Sequence, residues 1–380
     1  MKQGWEYKKF TDVCDVLYGY AFDSKYFTDD ENAMPLIRIR DVMRGYSETF
    51  YNGYFPEGFT INEGDYLVGM DGEFNIGRWG KIPGLLNQRV CKMKSSSPLL
   101  NNQYMYYFLK VCLKGIEDET PFVTVKHLSA KRINQIQIPL PPLSIQQSIV
   151  AELDEINNLL QLKKKELETF DKLAQSIFYE MFGDPVTNEK GWEVKNFGEI
   201  GTFLRGKNIQ KSDFVKEGMP CIHYGQVHTK FGKMIYSHLT EIPKSVYDKS
   251  IIASKGDIII AITSEDLAGS CKSTAWLGNY DVAVSAHAAV FNHSENPLYI
   301  VYYINSSRFR AEKEKYARGF KVMEIKTKDI AKIPITLPPL ALQNEFANRI
   351  QAIEQQKEQV KASINKLETL LASRMQYWFD

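Results

Sequence analysis

The residues best equipped for chemistry in this chain are cations and amides set in glycine-rich turns. In GMDGEFNIGRWGK, residues 69–81, Asn75 and Arg78 have the side-chain geometry that pairs with base edges, asparagine with adenine and arginine with guanine. Trp79 and Lys81 can lie along sugar and phosphate. The same stretch also reads as an ordinary hairpin loop. Arg38 and Arg40 alternate along PLIRIRDV, which predicts a strand with both guanidinium groups on one face and Ile37 and Ile39 on the other. A merely solvated face has the same pattern. Gln88 and Arg89, read as part of a strand LNQRV, and Tyr20 and Lys25 after LYG are further candidates.

A second set lies in the later half of the chain. It comprises Arg205, Lys207 and Lys211 in LRGKNIQK, and His223, Tyr224, Gln226 and His228 in CIHYGQVH. Ser264 and Lys272 follow the run GDIIIAIT, and Arg318, Lys321 and Lys326 fall in ARGFKVMEIK. The basic members suit phosphate anchoring, with Tyr224 and Gln226 nearer to bases. His287, within VSAHAAVF, reads as a hydrogen-bonded core residue rather than a contact.

Catalysis is poorly represented. There is no phosphate-binding glycine loop ending in GK[ST], no GxGxxG, no HExxH and no GxSxG. Asp65 and Asp71 do not make a nuclease pair, because Asp65 belongs to a GD turn that recurs at Asp257. The five cysteines are scattered without metal-ligand spacing and read as small buried hydrophobes. With 44% hydrophobic and 12% aromatic residues among 380, the chain buries a core and has room for two or three domains. No apolar run is long enough to span a bilayer and the opening MKQGWEYKKF lacks a signal-peptide core, so a soluble cytoplasmic protein is expected. The net charge of +1 conceals a partition in which only residues 190–340 are clearly basic.

The elements that must position these residues occur twice. GWEYKKF at Gly4 returns as GWEVKNF at Gly191, LYGYAFDSKYF at Leu17 as LRGKNIQKSDF at Leu204, and MPLIRIRDV at Met34 as MPCIHYGQV at Met219. EGDYLVGMDG at Glu63 returns as KGDIIIAITS at Lys255, and IPLPPLSIQQ at Ile138 as ITLPPLALQN at Ile335. Each globular stretch has short apolar runs bounded by Gly, Asp, Asn and Pro, the pattern of a β-rich α+β fold, with helices predicted around 102–110 and 297–316. After Pro142, apolar residues recur at Ile149, Leu153, Ile156, Leu160, Leu167, Phe170, Ala174 and Ile177, interrupted by Lys163. After Pro339 they recur at Phe346, Ile350, Ile353, Val360, Ile364, Leu367 and Leu371, with Lys357 interrupting and Arg374 closing. Both are coiled-coil seams of about five heptads, in rods of roughly 54 Å, and each suits the other as its partner. Domains are expected at 1–143 and 190–340, with helical spacers at 144–189 and 341–380.

This tandem of GWE…F openings, GD-aliphatic strands, the motifs LLNQRV and VSAHAAVF, and PPLxxQ joins resembles the specificity subunit of type I restriction-modification systems over essentially the whole chain. The second unit departs from the pattern, with Thr263, Ser264 and Glu265 where the first has Asp71, Gly72 and Glu73. The resemblance implies two target-recognition domains, each reading one half of a bipartite double-stranded DNA target. The two helices then form an antiparallel coiled coil with pseudo-twofold symmetry that sets the spacer. It implies a chain with no catalytic site and no cofactor, working with two methyltransferase subunits and with restriction subunits that use S-adenosylmethionine, ATP and Mg2+ for adenine methylation and DNA cleavage. The alternative is a protein-interaction scaffold of the same build that does not read DNA.

Overall fold

The computed structural model describes residues 4–80, 82–120, 126–319 and 322–379; Lys81 and Lys321 lie outside them. The chain divides into two compact units, Met1–Lys164 with Ala362–Asp380, and Lys165–Lys361. The class is α+β.

In the first unit, strands Cys14–Tyr18, Val90–Ser95, Tyr66–Gly69 and Ile76–Arg78 form one sheet in that order. A second, mixed sheet contains Met34–Ile37 running parallel to Gly84–Leu86. A helix, Asn102–Glu119, packs its buried face of Tyr104, Met105, Phe108 and Leu109 beneath the first sheet. Strand Glu6–Lys9 pairs antiparallel with Gln137–Leu140, so the opening repeat and the proline join meet.

The second unit follows the same plan. Strands Gly201–Arg205, Ala288–His293, Ile258–Ala261 and Ser273–Trp276 repeat the order of the first sheet, with Met234–Ile235 added at the edge. Glu193–Asn196 pairs with Pro334–Leu337 at the join. The helix predicted around 297–316 is two helices, Pro297–Ile304 and Ser307–Glu314. The break comes at Ser306, whose hydroxyl accepts from the Phe309 N–H and starts the second.

The repeated PPLxxQ motif has a packing explanation. Gln146 and Gln343 are fully buried. Gln146 donates to the carbonyls of Leu99 and Pro141 and accepts from the Asn101 N–H. Gln343 donates to the Pro338 carbonyl and the Glu295 carboxylate and accepts from the Asn296 N–H. Asn101 and Asn296 are themselves helix N-caps. Each glutamine therefore bolts the start of a long helix to the cap of the helix beside it, leaving no buried amide unpaired.

The long helices are Leu143–Phe182 and Leu340–Phe379. Within the first unit, Ile149 and Leu153 join a core that Leu371, Met375, Trp378 and Phe379 cover. Glu152 takes a bidentate hydrogen bond from Arg374 and a third from the Trp378 indole, and Lys164 pairs with Glu368 at 3.1 Å. Within the second unit, Ala174, Phe178 and Phe182 pack with Phe346, Ile350 and Ile353. In both units a rising number on one helix meets a falling number on the other, so the packing is antiparallel. Ile156, Leu160, Val360 and Ile364 are buried, while Leu167, Phe170 and Leu367 are half-buried. After Ala174 the buried stripe moves to Phe178 and Phe182, leaving Ile177 half-buried, as expected of a 3.6-residue turn drifting from a strict heptad. Lys357, which interrupts the second seam, holds Asp171 and Glu354, each at 2.8 Å. Burial works against its charge, but the two carboxylates outweigh it and keep the ammonium above the ordinary lysine value.

Candidate nucleic-acid interface

Each unit builds its own surface from the same kind of backbone contacts. Gly19 donates to the Val90 carbonyl and Tyr20 to that of Leu86; Gly206 donates to Ala288 and Lys207 to Val284. A Cβ on Gly19 would lie 2.1 Å from the Asn87 carbonyl oxygen, and one on Gly206 2.1 Å from that of Ser285. Only glycine permits this crossing. The crossing sets Tyr20 beside the turn Gln88–Arg89, and Lys207 beside the turn Ala286–His287. Behind the turns, Met70 donates to the Arg89 carbonyl and Ile262 to that of His287.

In the first unit this surface gathers Arg89, Asp71 and His127. Arg89 meets Asp71 at 3.2 Å, and the His127 ring nitrogen meets the other carboxylate oxygen at 2.5 Å. Gln88 and Arg89 are exposed in a two-residue turn rather than a strand. Tyr20 is 41% exposed and packs its ring 5.3 Å from Phe59 and 5.2 Å from Phe22. Asn75 donates to Glu73 within the loop between strands Tyr66–Gly69 and Ile76–Arg78. Lys25 is exposed, paired with Asp23 at 2.9 Å and held over the Tyr26 ring.

Two expectations for this unit are corrected. Trp79 is buried at 3% exposure with its indole N–H donating to the Ile82 carbonyl, so it is a core residue and not a sugar contact. Its counterpart is the buried Trp276, which donates to the Tyr280 carbonyl. Arg38 and Arg40 do not share a strand face. The strand ends at Ile37, because the buried Asp41 carboxylate accepts from the Arg38 N–H and closes a 3-10 turn over Ile39–Asp41. Arg38 is exposed there, and Arg40 donates to the Thr49 hydroxyl. Arg78 is exposed but sits in a strand opposite Tyr66, at the far end of the hairpin from Asn75, about 10 Å along the strand.

In the second unit Tyr224, His228, Ser264 and Lys272 line a cleft of ≈ 570 Å³. His228 Nε2 bonds the Thr263 carbonyl at 2.9 Å, and Lys272 reaches the His228 carbonyl at 2.6 Å. The His287 ring stands 5.2 Å from Tyr224. His287 is exposed in its turn with φ +66°, so the expectation that it is a core residue is overturned. Gln226 uses both ends of its amide internally, accepting from the His223 N–H and donating to Thr240, so its amide is committed to the fold and not free to face a base. His223 accepts from the Gly225 N–H, and burial lowers its pKa, helped by Lys211 and His287. Arg205 pairs with Glu324 at 3.3 Å, and Arg318 is bridged to Glu324 through the backbone. Lys207 lines a separate cleft of ≈ 430 Å³, while Lys211 and Lys326 are exposed.

His127 had no motif to announce it, whereas Asp71 falls within the repeated EGDYLVGMDG and Glu324 within ARGFKVMEIK, where neither spacing nor residue type marked it as a partner. Among the described residues no cluster of His, Cys, Asp or Glu could hold a metal ion. Burial pushes the Cys91 and Cys271 thiols up to about 12, which leaves them unreactive. No helix among the described residues is long and apolar enough to cross a membrane.

The chain is similar to known proteins in sequence and in fold. The type I restriction enzyme EcoBI specificity subunit of Escherichia coli is 27% identical over 93% of this chain and 82% of its own length. The MjaVIII specificity subunit of Methanocaldococcus jannaschii is 24% identical over 89% and 88%. The fold is shared with a type I restriction-modification S subunit from M. genitalium, at TM-score 0.52 and 15% identity over 99% of this chain and 96% of that one. It is also shared with a chain from a type I R-M system, at TM-score 0.58 and 18% identity over 100% and 98%. The family profile described as the type I restriction modification DNA specificity domain matches twice, over residues 2–170 and 189–369. With two copies of that domain along its length, the chain belongs to the type I restriction-modification DNA specificity family.

Proposed function

We propose that this chain is the sequence-reading subunit of a type I restriction-modification complex, in which residues 1–143 and 190–340 each recognise one half of a bipartite DNA target. The observation that supports this most directly is the repeated crossing at Gly19 and Gly206, which presents the same turn twice with different side chains. One frame with two sets of contacts is what a reader of two unlike half-sites requires. Asn75, Arg78, Gln88 and Arg89 supply base-edge donors for the first half-site, with Tyr20, Lys25, Arg38 and Arg40 around them. Tyr224 and Ser264 do so for the second, with Arg205, Lys207, Lys211, His223, His228, Lys272, Arg318 and Lys326 as its phosphate candidates. Lys81 and Lys321 are phosphate candidates on sequence grounds.

The helical regions 144–189 and 341–380 set the spacer. Two methyltransferase subunits and the restriction subunits then supply the chemistry, using S-adenosylmethionine, ATP and Mg2+. The chain itself acts by binding and orienting.

Methylome sequencing of a host expressing this chain with its partner methyltransferase tests the reading, and a single bipartite motif is expected. Adding one heptad to each long helix, after Leu160 and at the matching place opposite, lengthens the rod by about 10 Å and the spacer by about three base pairs while both half-sites stay the same. An unchanged spacer with full activity overturns the ruler. Retention of the protein on scrambled duplex as strongly as on the methylated motif favours the scaffold reading.

A further inference from the structure

We propose that the loop each unit presents beside its turn is held from behind by one charged side chain on a neighbouring helix, Glu117 in the first unit and Lys313 in the second. These act as positioning residues that set which bases the loops discriminate. The inference rests on the DNA-reading function proposed above.

In the first unit the loop between strands Tyr66–Gly69 and Ile76–Arg78 is short. Its Phe74 N–H donates to Glu117 Oε2 at 3.1 Å, from the last turn of the helix Asn102–Glu119. The Glu117 side chain is only 12% exposed, and Lys114 steadies its other oxygen at 3.0 Å. On the other side of the same loop the Gly72 N–H donates to the Lys126 carbonyl, and Lys126 Nζ returns to the Glu117 carbonyl at 2.5 Å. The loop carrying Asp71, Glu73 and Asn75 is thereby gripped at both ends of its tip.

In the second unit the corresponding loop is longer and the polarity is reversed. Lys313, on the helix Ser307–Glu314, is 6% exposed and donates to the carbonyls of Ser270 at 2.6 Å and Ala268 at 3.3 Å. Both of these hydrogen bonds go to backbone carbonyls rather than to a carboxylate. An ammonium offers donors only, so the loop must turn its carbonyls inward at 268 and 270. The adjoining Cys271 is then carried at φ +60°. The outer side of this loop, Ser264, Glu265, Asp266 and Gly269, forms one wall of the cleft opposite Tyr224 and His228.

Stability alone does not account for Lys313. A buried charge without a direct ion pair is expensive to desolvate, even with the Asp266 and Glu314 carboxylates near enough to favour it, and an apolar side chain of similar length fills the same space at lower cost. Burial also lowers its pKa. What the ammonium provides that an apolar chain does not is a fixed orientation for two loop carbonyls. Glu117 provides the complement, a fixed orientation for a loop N–H.

The test uses the full chain with its methyltransferase partner and measures methylation of duplexes carrying single base changes in either half-site, beside thermal unfolding. Lys313→Met is expected to keep the wild-type unfolding temperature or raise it, and to leave discrimination at the first half-site intact. Discrimination at the second half-site should fall from the roughly 10- to 100-fold typical of a read base toward unity. Lys313→Arg, which keeps the donors, should restore most of it. Glu117→Leu should produce the mirror image, loosening only the first half-site, with rescue by Glu117→Gln, whose amide oxygen still accepts. Unchanged discrimination in Lys313→Met overturns the proposal, as does a loss at both half-sites that tracks a fall in unfolding temperature. Should Lys313→Met fail to accumulate as folded protein, Glu117→Leu still decides: equal losses at both half-sites, or discrimination at the first half-site as sharp as in the wild type, overturn the proposal. A wild-type chain indifferent to base changes in both half-sites sinks the DNA-reading function itself, a result distinct from failure of the tethers.

Discussion

The turn Gln88–Arg89 and the turn Ala286–His287 occupy the same place in their units and offer opposite chemistry. The first puts an arginine beside Asp71 and His127, with an exposed tyrosine at the crossing. The second puts a histidine against Tyr224, a lysine at the crossing and a carboxylate, Glu324, opposite Thr263. Backbone hydrogen bonds from Gly19, Tyr20, Met70 and Val90 around the first turn are matched by those from Gly206, Lys207, Ile262 and Ala288 around the second. The same holds for the buried Trp79 and Trp276, each donating its indole N–H to a carbonyl shortly after it. The two units carry different side chains on one frame, because the matched contacts are made by backbone groups and by buried indoles.

The comparison breaks most completely at its shared hinge. Gly19→Ala or Gly206→Ala drives a methyl group into a carbonyl oxygen at 2.1 Å, so the strand and turn must part. Each change should abolish recognition of its own half-site and spare the other, as measured by binding to duplexes with one half-site scrambled.

A core difference comes next. The strand position held by Ser95 in the first unit, opposite Cys14, is held by His293 in the second, opposite Gly201. Burial keeps the His293 pKa down at about 4 against an ordinary 6.5. The folded state thus binds this proton less readily than the unfolded chain, and stability declines as pH falls below about 6.5, the loss being complete near 4. The full effect is up to about 3 kcal/mol. Denaturant titrations at pH 7 and pH 4.5 should show that His293→Phe removes much of the acid sensitivity of the second unit.

Arg78 sharpens the comparison, because the position opposite it in the repeat is the fully buried Ala275. Arg78→Ala should weaken discrimination at the first half-site by about 1–3 kcal/mol if it makes a bidentate guanine contact, without effect on the second. Equal losses on matched and scrambled duplex would reduce it to a phosphate anchor.

The smallest effect belongs to the helix pairing of the first unit. Hydrogen bonds from Arg374, with that of Trp378, hold the Glu152 carboxyl below the ordinary glutamate value. Because the folded carboxylate takes up its proton less readily than the unfolded one, this contribution is complete above about pH 4.3 and fades as pH falls through the folded value. Unfolding of Glu152→Gln compared with wild type at neutral and acid pH should show a difference only at the neutral end.

The two-unit repeat, the joins and the apolar seams were legible in the sequence, because each is a local period or a copied motif. The candidate contacts were legible only in part. Arg38 and Arg40 read as a strand since their alternation is faultless; the deciding group, Asp41, captures a backbone N–H and ends the strand early. Trp79 read as a surface ring because its neighbours are glycine and charged residues, and nothing local shows that the Ile82 carbonyl is waiting for its N–H. His287 read as core because apolar residues flank it, yet a positive φ turns it outward.

By itself the sequence determined what repeats and where the two long helices begin, properties that depend on residue type at short spacing. Only the tertiary structure decided who meets whom. Gln146 reaches a cap 45 residues away, His127 meets Asp71 across 56, and Lys313 meets Ser270 across 43. Such pairs carry no periodic signature, since each partner is a single polar group whose match exists only once strands and helices have closed the loops between them.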